Sequence, residues 1–225
     1  MDTSRLKRST DPHPRIAVLA AKRDGNSHSG IFFLDENDDP KVIDQGWHEH
    51  TSHRPFNDTM NYFQGCLVLA LPDLPAIREG LLRGVCRKIA RLIDTDQMNI
   101  PYALKVSPRA RFNFFTGRLE LADGNGLTCC GFTTLVFRSV KIELIDFDDW
   151  PTRESDKERY GKIVEDMRAT GVPDEHIKKV QTEVNSLRAS PEEVAGAVLC
   201  DVPANSNTAI PAGEYVSGEL DKSTN

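Results

Sequence analysis

The apolar positions of this 225-residue chain fall into a β-rich front and a helical back. Residues 1–14 are polar and carry prolines, which reads as a flexible arm. Arg15 to Ala21 (R-I-A-V-L-A-A) is a short apolar strand. After the turn Asp24-Gly25-Asn26 comes a second strand over 27–34 (S-H-S-G-I-F-F-L), then a polar reversal, then a third over 41–45. The last two read as an antiparallel hairpin. Gly65 to Leu71 is a strongly apolar strand with the character of a central one. From Pro75, Ile77, Leu81, Leu82, Val85, Ile89 and Leu92 keep helical period, and the proline suits a first turn. Residues 97–126 are irregular, with aromatic clusters at Phe112, Phe114 and Phe115. From 152 the pattern becomes charged and helical. Tyr160, Ile163, Val164 and Met167 make one stripe, broken by Gly171 and Pro173; Ile177, Val180, Val184 and Leu187 make a second. Ser190-Pro191-Glu192-Glu193 is a capping-box start for a third helix. Residues 201–225 are poor in large apolar groups and are expected to be disordered. The fold class is α+β.

One stretch departs from this alternation. The turn Asp123-Gly124-Asn125-Gly126 delivers Cys129 and Cys130 to the start of a predicted helix that Thr128 is placed to cap. Phe132, Val136 and Val140 follow Cys129 at helical spacing, so the face carrying the thiol would anchor the helix. A thiol at that position meets unpaired backbone N–H groups and the positive end of the helix dipole, both of which favour the nucleophilic thiolate. The same N–H groups could donate to an oxyanion beside the sulfur. The competing readings are structural. Thr133, Thr134, Val136 and Val140 are β-branched, so 132–145 could be a long strand, and a cysteine beside a turn is commonly a small buried hydrophobe.

Composition narrows the function classes. A hydrophobic content of 39% with 10 Phe supports a real core, and 28% charged residues indicates a soluble protein. The net charge of −6 argues against a sequence-independent nucleic-acid binder. No run approaches the length of a membrane span, so no integral membrane segment is expected. The polar N-terminus has no apolar core of a signal peptide. Five cysteines without framework spacing fit a reducing, cytoplasmic setting, although delivery by a dedicated secretion system would leave the same signature.

Ser27-His28-Ser29-Gly30-Ile31-Phe32, then Val42-Ile43-Asp44, then a helix, Pro101-Tyr102 and Thr128-Cys129-Cys130-Gly131-Phe132 together resemble the circularly permuted papain-like amidases. These are relatives of the NlpC-type cysteine peptidases and of lecithin retinol acyltransferase. The resemblance covers roughly residues 15–150. It implies a permuted papain-like catalytic domain there, with an antiparallel sheet packed on the nucleophile helix, a helical appendage over 151–200 and the tail 201–225. It implies Cys129 as nucleophile, His28 as general base, Asp44 as the group orienting His28, and Tyr102 as the tyrosine that assists the oxyanion. Cys130 stands where the family has serine, the interval from Tyr102 to Cys129 is long, and the hairpin loop is extended.

His48 competes with Asp44 for the third role, because the two share a parity in a regular strand. His48, His50 and His53 also resemble a partial zinc site, but no flanking Cys or carboxylate has the helical H-E-x-x-H spacing, and a solvated polar loop is the commoner explanation. His176, the only histidine after Cys129, lies in a charged helix, so the unpermuted order fits poorly. The expected activity is hydrolysis of an amide or thioester through an acyl-enzyme on Cys129, with a peptide, protein-conjugate or acyl substrate. It calls for no cofactor and no metal. A lipid acyltransferase or thioesterase of the same fold, or an inactive binding module, are the alternatives. Oligomeric state is not legible.

Overall fold

A computed structural model describes the chain except residues 9, 10, 12, 72, 73, 106–109, 122–125, 149, 184, 224 and 225. The expected turn at 123–125 and Val184 of the second stripe lie outside the described residues.

The α+β architecture rests on a six-stranded antiparallel sheet. Its strands are β1 (Leu6–Lys7), β2 (Ile16–Arg23), β3 (Asn26–Leu34), β4 (Pro40–Trp47), β5 (His50–Pro55) and β6 (Gly65–Leu69), in the order β1-β6-β2-β3-β4-β5. Both faces are covered, which is why β2 and β6 read as continuous apolar runs rather than alternating ones. On one face Val18, Ile31, Phe33, Ile43 and Leu67 meet α2 (Ala76–Asp94) and α3 (Cys129–Arg138). On the other, Leu19, Phe32, Val42 and Val68 pack with Phe56 of the short α1 (Phe56–Tyr62) and with Phe63. A two-stranded ribbon, β7 (Arg111–Phe112) with β8 (Leu119–Glu120), interrupts the otherwise irregular middle.

The sequence pattern misplaces some of this. The front of the arm expected to be flexible is ordered: a 3-10 turn at Thr3–Arg5 leads into β1, and Leu6 pairs with Leu69. The Asp2 N–H donates to Leu199 O and the Arg5 guanidinium donates to the carbonyls of Val198 and Cys200. An open edge on β6 carries backbone groups that need partners, and these residues supply them. Residues 50–55, read as a polar loop, are the edge strand β5, half-exposed along its length. The face of α2 is also turned from the predicted one. Leu82, Val85, Cys86 and Ile89 are buried, while Ile77 is 78% exposed and Leu81 39%.

The back half divides differently from the expected appendage and tail. α4 (Glu154–Ala169) and α5 (Asp174–Gln181) form a satellite core of Tyr160, Ile163, Val164, Met167, Ile177 and Val180 around Tyr102 and Leu104. α6 (Pro191–Ala197) instead packs on β3 and belongs to the main core. The tail is not disordered: α7 (Ser206–Ser223) lies against α6, β6 and β2, burying Ala209, Ala212, Gly213, Val216 and Leu220. Small side chains let two helices approach closely, so α7 docks without the large apolar residues whose scarcity read as disorder.

Candidate active site

Cys129 is the first residue of α3. The Thr128 hydroxyl accepts the Gly131 N–H at 3.0 Å, a side-chain cap on one of the unpaired amides of the first turn. The chain reaches this point through Gly126, whose φ of +124° lies in the region that favours glycine. A Cβ there would stand 2.0 Å from the Pro101 carbonyl oxygen, which also accepts the Leu127 N–H at 2.9 Å. The two segments that carry Cys129 and Tyr102 are thereby fixed to each other.

β3 brings His28 to the thiol. Its ladder with β2 runs to the Arg23↔Asn26 pair, but its ladder with β4 ends at Ile31↔Ile43. The outer edge of β3 is therefore open from Gly30 back to Asn26. Cys129 sits at this opening, close enough to the His28 imidazole for each group to shift the other's pKa. The His28 ring stacks on Phe63, with centroids 5.3 Å apart and planes 13° from parallel. His28 Nε2 faces Asp44 Oδ2 at 3.6 Å, an ion-pair distance without a hydrogen bond. Gly30 makes room for this arrangement, because a Cβ on it would lie 3.0 Å from that of Asp44.

Asp44 is 1% exposed and held on both oxygens. The Ser52 hydroxyl donates to Oδ1 at 2.7 Å, and the Arg54 guanidinium donates to Oδ2. Both come from β5, the strand the sequence pattern missed. Burial works against the carboxylate, but His28, Arg54 and Ser52 outweigh it and hold its pKa at about 2. Burial likewise penalises the His28 cation, yet Asp44 and the Cys129 sulfur raise its pKa to about 10. Cys129 moves the opposite way, well below an ordinary thiol. The leading cause is a hydrogen bond from the Cys130 thiol, reinforced against burial by His28 and the Ser29 amide. Cys130 is correspondingly pushed up, with its sulfur 4.0 Å from that of Cys129. These opposite shifts favour charge on both partners, sulfur negative and imidazole positive, with the Asp44 carboxylate beside them. Cys66 and Cys86, in contrast, are pushed up by burial, Cys66 to about 12.

Tyr102 lines the same cleft and lies close enough for its phenol to feel the Cys129 charge. Burial first, and that charge second, raise its pKa, so the hydroxyl keeps its proton. Its backbone is clamped by two histidines: the Tyr102 N–H donates to His48 Nδ1 at 3.2 Å, and Tyr102 O bonds His176 Nε2 at 2.7 Å. The His48 and His176 rings lie 4.5 Å apart. His48 therefore does not face His28: β4 and β5 shift register between Gln45 and Trp47, so the strand parity linking it to Asp44 is broken. His53 bonds Asp94 at 2.9 Å, away from His48, and no group of three potential metal ligands occurs among the described residues.

The cleft measures about 1200 Å³ and runs between the β3–β5 strand ends, α4, α6 and α7. Its lining is mostly charged and polar. Three contributors escaped the sequence reading. Cys130 was legible only as a departure from a motif, Arg54 sits on the missed strand, and Arg188 stands in a charged stretch with no pattern to mark it. No helix among the described residues is long and apolar enough to cross a membrane. No known protein family, curated protein or solved structure matches this chain.

Proposed function

We propose that this chain is a cysteine hydrolase of the papain-like type in permuted order, an amidase or peptidase working through an acyl-enzyme on Cys129. The observation that carries the reading is a thiol at a capped helix start, sharing a cleft with a histidine whose Nε2 faces a buried carboxylate. These are a nucleophile, a proton carrier and an orienting group on rigid mounts.

The Cys129 thiolate attacks the carbonyl carbon, forming the S–C bond and placing negative charge on oxygen. The Cys129 N–H, at the positive end of α3, and the Tyr102 hydroxyl are the donors for that oxyanion. The His28 imidazolium passes its proton to the departing amine as the C–N bond breaks, leaving a thioester. Neutral His28 then takes a proton from water, hydroxide adds to the thioester carbonyl, and the thiolate leaves. Asp44 stays ionised throughout and stabilises the imidazolium.

The charged cleft favours a peptide or protein-conjugate substrate over a lipid acyl chain, which would seek an apolar channel. Incubation with p-nitrophenyl acetate, an acid quench and peptide mass spectrometry test the reading. An acetyl group on Cys129, absent from Cys129→Ala and slow to form in His28→Ala, is expected. Acetylation confined to other residues, or unaffected by His28→Ala, contradicts it.

A further inference from the structure

Arg188 has no task in the mechanism above, yet it is firmly placed. Its carbonyl accepts from Trp150 Nε1 at 2.7 Å and from Arg153 at 2.9 Å, so its backbone is pinned. Its side chain is 10% exposed and its guanidinium lies 5.9 Å over the Tyr160 ring. Among the described residues that guanidinium makes no hydrogen bond. It forms an ion pair with Asp156 Oδ1 at 3.8 Å, while Arg153 Nε donates to Oδ2 of the same carboxylate at 3.1 Å. Arg153 also takes both carboxylate oxygens of Glu193. A guanidinium that is 10% exposed therefore keeps N–H donors open to the cleft, with one ion pair and no hydrogen bond among the described residues.

Its position says what. Arg188 lines the cleft that holds Cys129 and also a second cavity of about 910 Å³ on the far side of the helix start; Thr128 and Cys130 are shared with it. Its charge acts on Cys130, Tyr102 and Cys129. The Cys129 sulfur has its contact with the Cys130 sulfur at 4.0 Å, and no hydrogen bond joins it to Arg188. The fork thus opens onto the same cleft as the reacting atom, without a bond to it. A planar pair of N–H groups in that position matches a carboxylate in two-point contact.

We propose that Arg188 is the anion anchor of the cleft, binding a carboxylate of the substrate close to the scissile bond. The substrates are then amides whose acyl or amine portion bears a free carboxylate within reach of Cys129, as in peptides and acylated amino acids. The proposal rests on Cys129 being the nucleophile, and its test separates the two claims.

Iodoacetate and iodoacetamide alkylate the same thiolate and differ by a carboxylate. Their rates at Cys129 are measured on the full chain, site by site, for wild type, Arg188→Gln and Arg188→Lys. The iodoacetate-to-iodoacetamide ratio is expected to fall about tenfold in Arg188→Gln and by less in Arg188→Lys, given the strength of charge-assisted bonds. An equal ratio in wild type and Arg188→Gln overturns the anchor and leaves the hydrolase reading standing. If neither reagent labels Cys129 faster than Cys66 in wild type, the nucleophile fails and the anchor with it. A second measurement needs no variant: N-acetylglycine is expected to protect wild-type Cys129 from iodoacetamide, and N-acetylglycinamide is not. Equal protection by both, or none by either, overturns the proposal.

Discussion

Nε2 of His28 lies 3.6 Å from Oδ2 of Asp44, a carboxylate almost sealed from water and bound by Ser52 and Arg54. A carboxylate held there favours the charged imidazole. Asp44→Asn removes the charge but keeps the shape. The His28 pKa is expected to fall from about 10. The alkaline limb of kcat/KM for amide hydrolysis moves down with it, because the proton donor to the leaving group is lost earlier. Activity at neutral pH drops by about 10²–10⁴-fold, the scale seen when an orienting carboxylate is neutralised. A pH–rate profile of both proteins checks this.

The same pair sets a stability window. Asp44 has its folded pKa lowered to about 2, so its contribution is present above the unfolded value of 3.8 and lost as pH falls through about 2. His28 has its folded pKa raised, so its contribution is full below 6.5 and lost as pH rises through about 10. The Tm difference between wild type and Asp44→Asn should be flat from about pH 4 to 6.5 and shrink towards pH 10. A difference that grows with alkalinity contradicts the pairing.

The Cys130 sulfur lies 4.0 Å from that of Cys129, and its pKa is pushed up while that of Cys129 is pushed down. Cys130 is therefore expected to act as a thiol donor and not as a second nucleophile. Cys130→Ala should raise the Cys129 pKa. Where that pKa then exceeds the assay pH, alkylation slows by about tenfold for each further pH unit, because the thiolate fraction falls in proportion. Cys130→Ser supplies a hydroxyl donor in the same place and should keep most of the rate. Site-resolved alkylation of the two variants distinguishes a donor from a bystander.

Gly126→Ala places a methyl group 2.0 Å from the Pro101 oxygen in a left-handed backbone. The expected cost is above about 3 kcal/mol, because backbone must move on both sides of the contact. Thermal or urea unfolding measures it, and a loss below about 1 kcal/mol would contradict the close approach.

Acid should loosen α4 and α5 before the rest. His48 has its pKa lowered by burial and by its neighbour His176, so its contribution is present above about 6.5 and lost as pH falls through the lower folded value. Those two rings clamp Tyr102, which α4 and α5 enclose. Hydrogen exchange over 154–181 is expected to speed up between pH 7 and 5 while β2 and β3 stay protected. Uniform exchange across all elements contradicts it.

Much of this architecture is legible in local patterns. The Cys129 helix start, the Ser190 capping box and strands β2, β3, β4 and β6 follow from residues adjacent in sequence. Long-range contacts are not legible in that way. Strand β5 is polar because it is an edge, so its Ser52 and Arg54 resemble loop residues rather than the support of Asp44. The tail reads as unstructured because α7 packs through alanine and glycine. Strand parity pairs His48 with Asp44, and a register shift breaks that parity. Arg188 carries no local signal at all; its place in the cleft exists only in three dimensions.

The proposed chemistry depends on Cys129 and His28 forming a thiolate–imidazolium pair. The pH dependence of iodoacetamide alkylation at each of the five cysteines, in wild type and His28→Ala, reads that pair out. Cys129 is expected to label fastest, with an apparent pKa well below the ordinary value of about 8.5 that rises when His28 is removed. Labelling of Cys129 no faster than of Cys66 or Cys86, or indifferent to His28→Ala, would contradict it.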